Sequence, residues 1–165
     1  MRIRSIFLSL PLLVAAATAT ATATATTAVV PPAAAAGDCL ALEDGWIRLQ
    51  PVPRPMLAGF GRIANACGAP QVVVAVRSPR FGEVSLHETT VVDGVSRMRE
   101  LERLAVAPGN AAVLQPGGLH LMLMRPDAAL AEGERIPLVL VLEDGREVPA
   151  GLVARRAAPA RPAGD

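Results

Sequence analysis

The chain of 165 residues holds only two histidines, His87 and His120, and both have methionines within reach of a shared ion. The first pair lies in Val84–Val92 and Val95–Leu101, two apolar-rich runs that flank Asp93-Gly94. Asp-Gly between such runs signals a two-residue type I′ turn, because both residues tolerate positive φ. A two-residue loop pairs Val92 with Val95, sets Thr89 opposite Met98 and sets His87 opposite Glu100. His87 and Met98 then share a face as diagonal neighbours, roughly 7–8 Å apart at their α-carbons. The second pair lies in Leu119–Arg125 (LHLMLMR), where alternation sends the three leucines one way and His120, Met122 and Met124 the other. The leucine face belongs in the core. His120 and Met122 stand about 6.6 Å apart along the strand and can chelate one ion from the same side.

Imidazole and thioether form a soft-to-intermediate donor set that suits Cu(I) and serves Zn, Mg or Ca poorly. Four neutral ligands leave the complex cationic, so the site can stay near the surface. No cysteine stands where a blue-copper thiolate would be needed, which favours storage or handover over electron transfer. A lone methionine on a strand is usually core filler, and a lone histidine a satisfied polar residue. Two same-face pairs on separate strands give the metal reading its weight. Glu100, opposite His87 in this register, could orient the imidazole; the alternative is an exposed charge beside Arg97 and Arg99. Met124 shares the face of Met122, as an accessory ligand or as simple packing.

The elements that must position these residues are short strands punctuated by turns. Gly45–Gln50, Met56–Asn65, Gln71–Arg77 and Ala111–Leu114 read as strands, with Gln71–Arg77 buried on both faces. Pro116-Gly117-Gly118 turns the chain into Leu119–Arg125. Ile136–Leu142 and Arg146–Ala154 pair across Asp144-Gly145, which repeats the hairpin signal. Pro126–Gly133 has room for one helical turn. About eight short strands at this spacing indicate an all-β, antiparallel sandwich or barrel. Three Phe, one Trp and no Tyr leave the core to Val, Leu, Ile and Ala.

All 16 basic residues are Arg, against 15 acids, a formal charge of +1. Arg2 and Arg4 precede an apolar run, Ile6–Ala17, of secretory length and too short to span a membrane comfortably. An Ala-Thr repeat follows. Residues 1–36 therefore read as a signal peptide with a low-complexity segment, an uncleaved anchor being the rival, and the protein is expected in the periplasm. Without Arg2 and Arg4, 14 bases face 15 acids, a charge of −1. That leaves no basic footprint for nucleic acid or an anionic membrane. A lipid anchor on Cys39 is disfavoured by Asp38, where a small residue is expected. In an exported chain the two cysteines, Cys39 and Cys67, read as a disulfide. Closing its loop of 27 intervening residues is worth roughly 3–4 kcal/mol. A thiolate metal site is the alternative, but neither cysteine lies in a CxxC or near a histidine. The folded domain is expected over 37–154, and the Arg-, Ala- and Pro-rich tail, 155–165, is expected to be disordered.

His87, ten intervening residues, Met98, twenty-one more, then His120-x-Met122 resembles the signature of the periplasmic copper chaperones called PCuAC. The block SLHETTVVDGVSRMRELERLAVAPGNAAVLQPGGLHLMLM resembles that family's central segment, and the likeness runs from about Trp46 to Val153. The resemblance implies a cupredoxin-like Greek-key β-sandwich that binds Cu(I) through His87, Met98, His120 and Met122. It implies delivery to the dinuclear copper centre of cytochrome c oxidase, through an oxidase subunit or assembly factor. Two features depart from the pattern: the tail lacks His and Met, and Val95 stands where many members carry a further Met. An enzyme such as a copper oxidase is disfavoured, since there is no Tyr, no third His and no Ser-His-Asp set. The remaining rival is a secreted β-sandwich interaction module without metal.

Overall fold

The computed structural model describes residues 39–157. The expected signal peptide and residues 158–165 of the expected tail lie outside them. Ten strands follow in order: β1 Leu40–Arg48, β2 Met56–Asn65, β3 Gln71–Arg77, β4 Phe81–Val92, β5 Val95–Glu100, β6 Leu104–Val106, β7 Ala111–Leu114, β8 Leu119–Pro126, β9 Arg135–Leu142 and β10 Glu147–Arg155. Among the described residues there is no helix, and the all-β expectation holds. The strands hydrogen-bond in the order β5-β4-β8-β7-β2-β1-β10-β9-β3-β6, with β2 also pairing β8. This ladder curls around one hydrophobic core that draws residues from every strand except β5. Period-two patterning builds that core: Ile136, Leu138, Leu140 and Leu142 of β9 are all buried, as are Leu121 and Leu123 of β8. The Cys39–Cys67 disulfide, with α-carbons 4.9 Å apart, ties the start of β1 to the loop after β2.

Several elements differ from the sequence expectation. Gly45 does not open β1; it sits in a bulge between Glu43 and Trp46 inside a longer strand. A Cβ there would come within 2.4 Å of the Gly151 carbonyl oxygen, so the close approach of β10 requires glycine. Strand β3 is not fully buried on both faces: a register shift between Val73 and Ala75 moves the buried phase from Val73 to Val76. The three-residue edge strand β6 is too short to announce itself. Pro126 closes β8, and Asp127–Gly133 follows as a bend and a turn instead of a helical turn, with Glu134 accepting the Ala131 N–H. Arg155, assigned to the tail, is the last residue of β10, and Arg156 bonds Glu132. The sheet is not wholly antiparallel, since β1–β10 and β7–β8 pair in parallel.

The last of these differences shapes the site. Strands β7 and β8 both pair antiparallel with β2, β7 along Gly61–Ala64 and β8 along Met56–Gly59. They succeed one another along a single edge of β2. The Pro116-Gly117-Gly118 segment therefore does not reverse the chain; it bulges outward and returns it in the same direction. The excursion closes where Gln115 N donates to Leu119 O, at 2.7 Å, and it presents the Gly118 carbonyl towards β4 and β8.

Candidate metal centre

Strand β4 lies between β5 and β8, and its pairings assemble the candidate residues. On the β5 side Thr89 faces Met98 and His87 faces Glu100, the register expected from the Asp93-Gly94 turn. Asp93 and Gly94 both have positive φ, 53° and 76°, as a type I′ turn requires. On the β8 side His87 faces His120 directly, and Ser85 faces Met122. Directly paired residues share a face, as do residues two apart on a strand. His87, Met98, His120 and Met122 therefore all project from one face of three adjacent strands, opposite the buried Leu86, Leu121 and Leu123.

The histidine rings lie 5.9 Å apart between centroids, inclined at 33°. His120 is buried, 8% exposed, and its Nδ1 sits 2.9 Å from the Gly118 carbonyl oxygen. A carbonyl only accepts, so Nδ1 carries the proton and Nε2 keeps a lone pair for an ion. The same carbonyl accepts the Thr89 N–H at 3.1 Å and is thereby fixed in place. His87 is half-buried, with Nε2 3.0 Å from Ser85 Oγ. Its Nδ1 is buried without a hydrogen-bond partner. With the proton on Nε2, donated to Ser85, that orphaned Nδ1 also holds a free lone pair. Met122 is half-buried and Met98 is 52% exposed. The donors thus range from a fixed, buried imidazole to a thioether open to solvent.

Ser85 and the Gly118 carbonyl were not singled out from the sequence. Ser85 sits two residues before His87 on the same strand face, which was the available signal; the Gly118 contact depends on the excursion. Glu100 stands opposite His87 but is exposed, and the imidazole bonds Ser85 rather than this carboxylate. Ser85, not Glu100, is the side chain in hydrogen-bond contact with the His87 ring. Met124 lies on the same face, opposite Glu83 on β4. Arg99 and Glu88 pair on the other face of the hairpin, at 2.7 and 3.1 Å. Cys39 and Cys67 are both consumed by the disulfide and supply no thiolate. Among the described residues no three His, Cys, Asp or Glu side chains converge, and the side-chain donors beside the two imidazoles on this face are the thioethers of Met98 and Met122.

Residues 40–153 match the family described as lipoprotein LpqE-like. A protein of Leifsonia xyli subsp. xyli, named as lipoprotein Lxx21020, is 30% identical over 113 residues, 68% of this chain and 67% of its own length. Among solved structures, the copper-bound PCuAC domain from PmoF2 superposes with a TM-score of 0.59 at 18% identity, over 73% of this chain and 95% of that domain. The solution structure of CuI-DR1885 from Deinococcus radiodurans superposes with a TM-score of 0.55 at 24% identity, over 78% and 87%. At these identities the structural likeness is one of fold.

Proposed function

We propose, from the premise that this chain belongs to the LpqE-like family, that it is an exported carrier of Cu(I) that hands its ion to an acceptor protein. The ligands are His87, Met98, His120 and Met122. The observation that carries this reading is the register of β5, β4 and β8, which collects two imidazoles and two thioethers on one face. The donor chemistry fits the ion. All four groups bind as neutral donors, two are soft sulfur, His120 Nε2 is left free by the Nδ1 contact to Gly118, and His87 Nδ1 has no hydrogen-bond partner in the protein. Structures with this fold include the copper-bound PmoF2 domain and CuI-DR1885, which supports the choice of metal.

A carrier must also release its cargo, and the exposure of Met98 on an edge strand supports exchange. An incoming acceptor ligand can displace this thioether before the buried His120 lets go. No redox or hydrolytic step is assigned, and the protein is not an enzyme in this reading. The acceptor we favour is the dinuclear copper centre of cytochrome c oxidase or its assembly factor, on the strength of the motif resemblance. Export to the periplasm is supported by the signal-like N-terminus, the disulfide, and the lipoprotein names of the family and of the Leifsonia relative. A lipid on Cys39 is incompatible with the disulfide, because the same sulfur cannot form both bonds.

A competition titration with a Cu(I)-specific chelator under reducing conditions tests the reading. The expected result is one equivalent held tightly by the wild type and lost in His120→Ala/Met122→Ala. Equal binding by both would remove these residues from the site. A metal-free interaction module is the second reading, favoured by the exposed valines at the β4–β5 tip, Val91 at 70% and Val95 at 56%. It predicts no binding above background in either protein.

A further inference from the structure

All four methionines among the described residues lie on the face that carries the histidines. Met98 and Met122 are used above; Met56 and Met124 are not. Met124 and Met56 are direct partners in the β2–β8 pairing, and Ala58 faces Met122 in the next same-face position. Direct cross-strand partners hold their β-carbons about 4.5–5.5 Å apart, so two flexible thioethers can close on one ion. Core packing does not account for the pair. Met56 is 47% exposed and Met124 half-buried, on the face opposite Leu57 and Leu123, which fill the core.

The surroundings admit a soft monovalent cation. Ala58 presents only a methyl group between Met56 and the aromatic Phe60 farther along β2. Arg48, opposite Ala58 on β1, holds its guanidinium over the Trp46 and Phe60 rings, 5.6 and 5.2 Å from their centroids. Glu83, opposite Met124, brings a carboxylate to the other side, where it accepts from Arg125 at 3.2 Å.

We propose that Met56 and Met124 form a second, thioether-only station for a soft monovalent ion, Cu(I) in the cell, beside the histidine-containing centre. Its two sulfurs bind more weakly than two imidazoles with two thioethers. The station deepens the carrier reading and rests on it for its biological cargo. The test uses the mature full chain, labelled with 13C at the methionine methyls and titrated with Ag(I), a redox-inert ion of the same softness. The first equivalent should move the Met98 and Met122 methyls, and the second should move those of Met56 and Met124. Met56→Leu/Met124→Leu, which conserves volume, should keep the first equivalent and lose the second. A wild type that saturates at one equivalent, or a double variant that keeps the second, overturns the station and leaves the carrier reading standing. Shifts at Met56 and Met124 alone would support the station and sink the four-ligand centre. Silence at all four methyls would sink both.

Discussion

Two hairpins in this molecule turn on the same dipeptide, yet one supports the fold and the other carries a proposed ligand, Met98. At the β4–β5 end, Val92 pairs with Val95 and Asp93-Gly94 forms a two-residue loop. At the β9–β10 end, Glu147 pairs with Val141, one step short of the two-residue register. There Leu142 N donates to Arg146 O, so the loop takes in Glu143, Asp144 and Gly145, and only Gly145 has positive φ, 84°. Asp144 accepts the Arg146 N–H at 3.0 Å instead of entering the left-handed region. One residue of register decides which face of a strand meets the core. The β9–β10 register turns Leu138, Leu140, Val148 and Leu152 inward. The β4–β5 register places Met98 beside His87 on an edge strand that buries nothing. Turn chemistry alone therefore does not assign a hairpin's role; the side chains behind the turn do.

The largest expected effect falls on the structural hairpin. Leu140→Ala should destabilise the protein by about 2–5 kcal/mol in urea unfolding, with the Cu(I) stoichiometry of the folded fraction unchanged. Met98→Ala should do the reverse, leaving stability within about 0.5 kcal/mol and weakening Cu(I) binding by about 100-fold, or about 2.7 kcal/mol. A Met98 variant that melts far lower with intact affinity would erase the contrast. Ser85→Ala should weaken Cu(I) by about tenfold, because His87 loses the hydroxyl that holds its ring in place. Gly94→Ala should cost about 1–2 kcal/mol through its positive φ and speed amide exchange in β5 without touching β9 or β10.

The smallest effect is a pH dependence at the other turn. The Arg146 backbone N–H, and then its guanidinium, hold the Asp144 carboxyl below the ordinary value of 3.8. A lowered folded-state pKa contributes stability above that ordinary value and loses it as pH falls through the lowered one. Asp144→Asn should therefore shallow the loss of stability below about pH 4, read from urea unfolding at a series of pH values.

Much of the fold was legible because it is local. Strands β2, β3 and β7 run between the expected residues, and the His87–Met98 register follows from two turn residues with obligatory conformations. The pairing of His87 with His120 was not legible, because no short loop joins β4 to β8. Nor was the path of Pro116–Gly118, since a turn-rich triplet reads alike whether the chain reverses or bulges. That excursion decides what His120 donates to, and the Ser85 contact emerges only once the β4 face is known. The second Asp-Gly marked a hairpin between Leu142 and Arg146 as expected, but its register was not legible from the dipeptide, which fits both a two-residue loop and a three-residue one.

X-ray absorption spectroscopy of the protein loaded with one equivalent of Cu(I) tests the central claim most directly. A first shell of two imidazole nitrogens and two thioether sulfurs, losing one sulfur in Met98→Ala, is the predicted result. A shell without thioether sulfur, or one unchanged by that substitution, would contradict it.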